Sequence, residues 1–102
     1  MSNVARSSGL ITADSLVHTG RCKLVSIHAC NLHAGDISVV VVYDNTAASG
    51  KIVAKMILPA LADGGGAGTA LSLEYDMHGV ICLNGLYVDV TSGTPNITIE
   101  FA

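Results

Sequence analysis

Apolar and polar residues alternate with a period of two along most of the chain, and stretches with the period of a helix are scarce. The clearest case is residues 96–101, where Ile97, Ile99 and Phe101 face one way and Thr98 and Glu100 the other. That is the pattern of a half-buried strand. Just before it, Leu86, Val88 and Val90 alternate with Tyr87, Asp89 and Thr91, and "TSGTP" supplies a turn, so the two segments read as a C-terminal hairpin. Upstream, Leu71, Leu73 and Tyr75 alternate with Ser72 and Glu74; "DMHG" then turns the chain into a strand over 80–83, and Asn84-Gly85 turns it again. Asn-Gly signals a hairpin because both residues tolerate positive φ. Strands are also predicted over 21–30 and 37–43, joined by the polar "NLHAGD", over 51–58 after "DNTAASG", and at a short edge segment over 15–18.

These segments amount to about eight short strands with Gly, Asn and Asp punctuation and no plausible helix. The expected fold is all-β: an antiparallel β-sandwich, jelly-roll-like, occupying residues 21–102, with residues 1–20 as an N-terminal arm or edge strand. Composition does not choose between sandwich and barrel, and pattern does not set the connectivity.

Two neighbouring segments depart from clean alternation. In residues 37–43, Ile37, Val39, Val41 and Tyr43 make one face, yet the other carries Val40 and Val42 beside Ser38. In residues 51–58, Ile52, Ala54, Met56 and Leu58 make one face, while Val53 and Ile57 sit between Lys51 and Lys55 on the other. If these strands pair with their all-apolar faces toward the core, Val40, Val42, Val53 and Ile57 form an apolar patch pointing away from it. Those four are the expected subunit-interface residues. The competing reading buries both faces inside the domain.

Composition favours the first reading. Half of the 102 residues are hydrophobic and only 13% are charged, against about 25% in an ordinary soluble protein. So few charges leave part of the surface to be covered by a partner, and a homo-oligomer is expected. The net charge of −3 and the scattering of Arg6, Arg21, Lys23, Lys51 and Lys55 argue against a nucleic-acid surface. Apolar runs such as residues 37–43 fall well short of the roughly 20 residues that span a bilayer, so no membrane partner is expected. "MSNVARSSGLITADS" holds no apolar run of signal-peptide length, so export by that route is not expected either. Cys22, Cys30 and Cys82, odd in number, are expected as free thiols.

Candidate chemistry is sparse. The Ser-Gly-Lys of "YDNTAASGKIVAKM" looks at first like a phosphate-binding loop, but Asn45 stands where the leading glycine belongs and Ile52 follows Lys51 where Ser or Thr is needed. The segment also lies between two strands and opens no helix. "DGGGAGT" does not complete a dinucleotide fingerprint and reads as a surface loop. His18, His28, His33 and His78 with the three cysteines offer no zinc spacing, although His28 and Cys30 share one face of a strand. Asp36, Asp44, Asp63, Asp76 and Asp89 fall mostly at turns, where carboxylates bond local N–H groups. No Gly-x-Ser-x-Gly elbow is present. The expectation is a non-enzymatic protein without cofactor or metal.

The stretches "LVSIHACNLHAGDISVVVVYDNTAASGKIVAKMILPA" and "GVICLNGLYVDVTSGTPNITIEF" resemble small all-β virion proteins of tailed bacteriophages, over most of residues 21–102. The shared pattern is one of strands and turns and contains no catalytic signature. The resemblance implies a viral structural protein: a capsid decoration or cement protein on the outer capsid surface, bound to the major capsid protein or other virion proteins, often a homotrimer, and assembled in the host cytoplasm. The alternative is a head-tail or fibre-associated module that recognises a host surface glycan. Against it, the chain has no Trp, and Tyr43, Tyr75, Tyr87 and Phe101 are its only aromatics.

Overall fold

A computed structural model describes residues 5–31, 36–60 and 71–102, with the side chain of residue 71 left out. Its strands are β1 (Arg6–Ser7), β2 (Ser15–Thr19), β3 (Cys22–Asn31), β4 (Ser38–Asp44), β5 (Lys51–Leu58), β6 (Leu71–Cys82), β7 (Gly85–Ser92) and β8 (Asn96–Phe101). They form two four-stranded sheets, ordered β1-β8-β3-β6 and β2-β7-β4-β5. Within them β1 pairs with β8, β2 with β7, β3 with β6 and β4 with β5, all antiparallel. The chain thus behaves as one long hairpin, its tip at β4-β5, rolled up so that successive strand pairs alternate between sheets. That order defines an eight-stranded jelly roll, the fold expected from the strand pattern. Residues before Cys22 supply an edge strand to each sheet, and Ile11 bridges to Ile97 between them.

The core lies between the sheets. Leu24, Ile27, Ile97 and Ile99 from one sheet meet Val40, Val42, Met56, Leu58, Leu86 and Val88 from the other, all fully buried. Burying each Leu or Ile stabilises the fold by about 1.5–3 kcal/mol. One side of the sandwich is closed by Tyr75, whose hydroxyl donates to the Lys55 carbonyl at 3.3 Å. On the other side His18 packs against Phe101, and the Arg6 guanidinium lies 4.8 Å from the centre of that ring. Asn31, fully buried at the end of β3, ties the sheets together by donating to the carbonyls of Asp36 and Pro59.

Several sequence expectations change. The segments around "TSGTP" are not a hairpin, because β7 and β8 lie in opposite sheets. The Asn84-Gly85 turn likewise passes from β6 in one sheet to β7 in the other. Turn residues report a change of direction and not whether the chain stays in the same sheet, which sets the limit of that inference. "DMHG" does not end a strand either: β6 continues through it, pairing Ser26 with Asp76 and Leu24 with Val80. The local turn signal is real, since His78 and Gly79 have φ of 55° and 81° and the Asp76 carboxylate accepts the His78 N–H. Because β3 keeps pairing on either side, the extra residues are absorbed as a bulge. "DGGGAGT" and His33 lie outside the described residues.

The β4 faces are the reverse of those expected. Val40 and Val42 are 0% exposed and pair with Met56 and Ala54 on the inner face, whereas Val39, Val41 and Tyr43 point outward. The reversed inner face ends in polar Ser38 and Asp44, both buried at the rim of the sandwich, and Asp44 is drawn inward by the N–H groups of Leu83 and Asn84 that its carboxylate accepts. A register shift between Val42 and Tyr43 then places Tyr43 opposite Ile52, turning Ile52 outward and leaving Val53 half-buried against the core.

Candidate functional site

The two outer faces of the sandwich differ in chemistry. On the β1-β8-β3-β6 sheet, the side chains alternating with the core residues over the second half of β3 are polar: Ser26, His28 and Cys30 of β3, flanked by Glu74 of β6 and by Thr98 and Glu100 of β8, whereas near the start of β3 the exposed Ile81 stands beside Lys23. The Ser26 hydroxyl donates to Glu100 Oε1 at 2.5 Å and lies 3.2 Å from His28 Nε2. His28 Nε2 is in turn 3.7 Å from Glu100 and 3.9 Å from Glu74. A hydroxyl has one proton to give, so with that proton on Glu100 its oxygen is left to accept from Nε2–H. Nucleophilic activation needs the opposite polarity: an imidazole that accepts from the hydroxyl while a carboxylate holds its other nitrogen. In this arrangement Ser26, itself buried, bridges a base and a carboxylate across two strands.

Beside this cluster lies an open depression of about 450 Å³ whose lining includes Leu10, His28, Glu74, Asn96 and Thr98. Among the described residues, no group of three or more His, Cys, Asp or Glu side chains is placed to hold a metal ion. The alternation of Ser26, His28 and Cys30, together with the polar face of the last strand, was the available sequence signal for this cluster. Which strands would stand beside β3 was not readable.

The outer face of the β2-β7-β4-β5 sheet is largely apolar. Leu16, Tyr87, Tyr43 and Ile52, one from each strand, stand in a continuous row across all four strands. Leu16 is 49% exposed and Ile52 52%, while the two tyrosines are half-buried. In the next row Asp89, Val41 and Lys55 stand side by side, with Val41 covered by its neighbours to 5% exposure, and further on Val39 pairs with Ile57, which is 55% exposed. Of the four residues expected as an outward patch, Ile57 is outward and exposed, Val53 is half-buried, and Val40 and Val42 are inaccessible. The outward surface joins Ile57 to Val39, Val41, Tyr43 and Ile52, which alternation assigns to the core, and to Leu16 and Tyr87 of the neighbouring strands.

Charge on this face is confined. Partial burial, and then the neighbouring Asp14 carboxylate, push the Asp89 carboxyl above the usual range. Asp14 is held in place by accepting the Val90 N–H at 2.7 Å. Lys55 is exposed on the far side of β4.

Asp44 and the thiols serve the frame. Asp44 is buried where β4 ends, and its carboxylate accepts the N–H groups of Leu83, Asn84 and Gly85 at 3.0, 2.8 and 3.4 Å. Burial alone would raise its carboxyl, but these three bonds and the charge of Lys51 outweigh it and hold the carboxyl below its usual value. Cys22 and Cys82 are cross-strand partners facing the core, and burial, ahead of the neighbouring groups, pushes the Cys82 thiol up to about 11.

Comparison with protein-family models, with curated proteins and with solved structures finds no match to this chain.

Proposed function

We propose that this protein is a non-enzymatic virion component, a capsid decoration or cement protein that binds the outer surface of a bacteriophage capsid and stabilises the shell. The observation that carries the reading is the apolar row across the β2-β7-β4-β5 sheet in a chain with only 13% charged residues. An exposed, contiguous apolar face is the mark of a surface that another protein covers. The jelly roll supports the reading by analogy, since viral capsid domains are built on it, and so does the resemblance of residues 21–102 to phage virion proteins. A cement protein acts by burying surface at subunit junctions, and about 800 Å² per partner makes a stable contact. Its partner in this reading is the major capsid protein. The test is to add the purified protein to capsids that lack it: the shells bind it and disassemble at a higher temperature. Shells that neither bind it nor gain thermal stability contradict the proposal.

A second reading is favoured by the depression beside His28. Its volume falls within the roughly 300–1,000 Å³ of small-ligand sites, and Asn96, Thr98, His28 and Glu74 offer the hydrogen-bonding groups a sugar needs. In that case the protein is a head-tail or fibre-associated module for a host surface glycan. Titration against host surface polysaccharide, with Asn96→Ala as control, distinguishes the two: binding that the substitution abolishes supports the glycan reading, and its absence removes it.

A further inference from the structure

The outer face of the β2-β7-β4-β5 sheet is self-complementary about β4. In its middle row Asp89 of β7 and Lys55 of β5 stand one strand to either side of Val41, so their Cα atoms are about 10 Å apart. Among the described residues neither makes an ion pair. We propose that two copies of the chain pack these faces together about a two-fold axis running along β4, each Lys55 meeting the other copy's Asp89 and Tyr43 lying against its own counterpart.

The operation exchanges left and right across β4 and leaves position along the strand unchanged. β5 of one copy therefore covers β7 of the other. In the row of tyrosines this sets Ile52 over Tyr87, so that a half-exposed aliphatic side chain is covered by an aromatic one. The exposed Ile57 falls over the end of β7 near Ser92, the residue level with Val39. Each pair occurs twice, as an isologous contact requires. Packed sheets stand about 10 Å apart with their strands crossing at about 30°, so the axis bisects the two β4 strands where they cross, at the middle row level with Val41, and that row is best aligned. Charge argues for the same occupant. Asp14 and Asp89 crowd two carboxylates onto one corner of the face, and the opposite corner carries the ammonium group that a two-fold partner brings to them.

The inference rests on reading this face as an assembly surface, makes a second copy and not the capsid protein its direct occupant, and has a test independent of any capsid. Sedimentation velocity on the full chain compares the wild type with Lys55→Asp, Asp89→Lys and the double reversal. The expected result is a wild-type dimer, at least about a tenfold weaker association for each single reversal, and recovery in the double variant, where both contacts return with signs exchanged. Far-UV circular dichroism checks that each variant is folded. If a charge variant fails to fold, Tyr43→Cys with Cys30→Ser gives a second measurement: facing sheets hold the two thiols too far apart for a disulfide, and a short bismaleimide spacer joins them into a covalent dimer. A monomeric or trimeric wild type, a dimer indifferent to the single reversals, or no cross-link at Tyr43→Cys overturns the proposal and leaves binding to capsids as a separate question.

Discussion

Asp44 Oδ1 accepts the N–H of Asn84 at 2.8 Å, and through that contact the end of β4 holds the crossing of the chain from β6 in one sheet to β7 in the other. Replacing Asp44 with Ala leaves the N–H groups of Leu83 and Asn84 without their acceptor and is expected to destabilise the fold by about 2–4 kcal/mol. Urea denaturation of the purified variant measures it. A loss within experimental error would mean that the turn holds itself.

The same carboxylate sets a pH dependence. Its folded pKa lies below the ordinary aspartate value, so the unfolded chain binds its proton more readily than the folded one. The stability it contributes is therefore fully present above the unfolded value and is lost as pH falls through the folded one. Denaturation midpoints for wild type and Asp44→Asn should converge as pH is lowered from about 5 to 2. A constant gap over that range would show that the carboxylate's charge contributes nothing.

Gly85 follows Asn84 and has no room for a side chain. A Cβ there would stand 2.8 Å from the Asn45 carbonyl oxygen and 2.9 Å from that of His18. Both are backbone atoms and neither can swing aside. Gly85→Ala is expected to cost about 2–3 kcal/mol, read from the same urea curves.

The two sides of β4 separate folding from assembly. Val40→Lys places a charge in the core and is expected to abolish the folded state. Ile57→Lys, on the exposed outer face, should keep the fold within about 0.5 kcal/mol of wild type. Thermal melts of the two variants test the assignment of faces, and a folded Val40→Lys protein would refute it.

The three thiols should divide by reactivity. Cys22 and Cys82 face the core, while Cys30 lies half-buried on the polar outer face. With the Cys82 thiol raised to about 11, native-state labelling by a disulfide reagent at pH 8 should be on the order of a hundredfold slower at Cys82 than at Cys30. Equal rates, followed by peptide mapping, would indicate that the β3-β6 end of the sandwich opens readily.

The fold was legible in the sequence wherever burial was one-sided. Ile97, Ile99 and Phe101 of β8, and Leu86 and Val88 of β7, have the inward faces that alternation assigns to them. β4 defeated the same rule because both its faces are apolar, and the tie was broken by tertiary contacts that no local pattern contains: the N–H groups at 83–85 that draw Asp44 inward, and the bulge that rotates Ile52 out. An outward apolar surface on the β4-β5 hairpin was foreseen, and Ile57 belongs to it. The Ser26-His28-Glu100 cluster was out of reach, because β3 and β8 are joined only by the rolled-up topology.

Copy number in purified virions tests the central claim most directly. Quantitative mass spectrometry against the major capsid protein should find on the order of hundreds of copies per particle, as a shell with many equivalent junctions requires. A count of about a dozen or fewer, matching the symmetry of a tail or neck, or absence from the particle, would contradict the account.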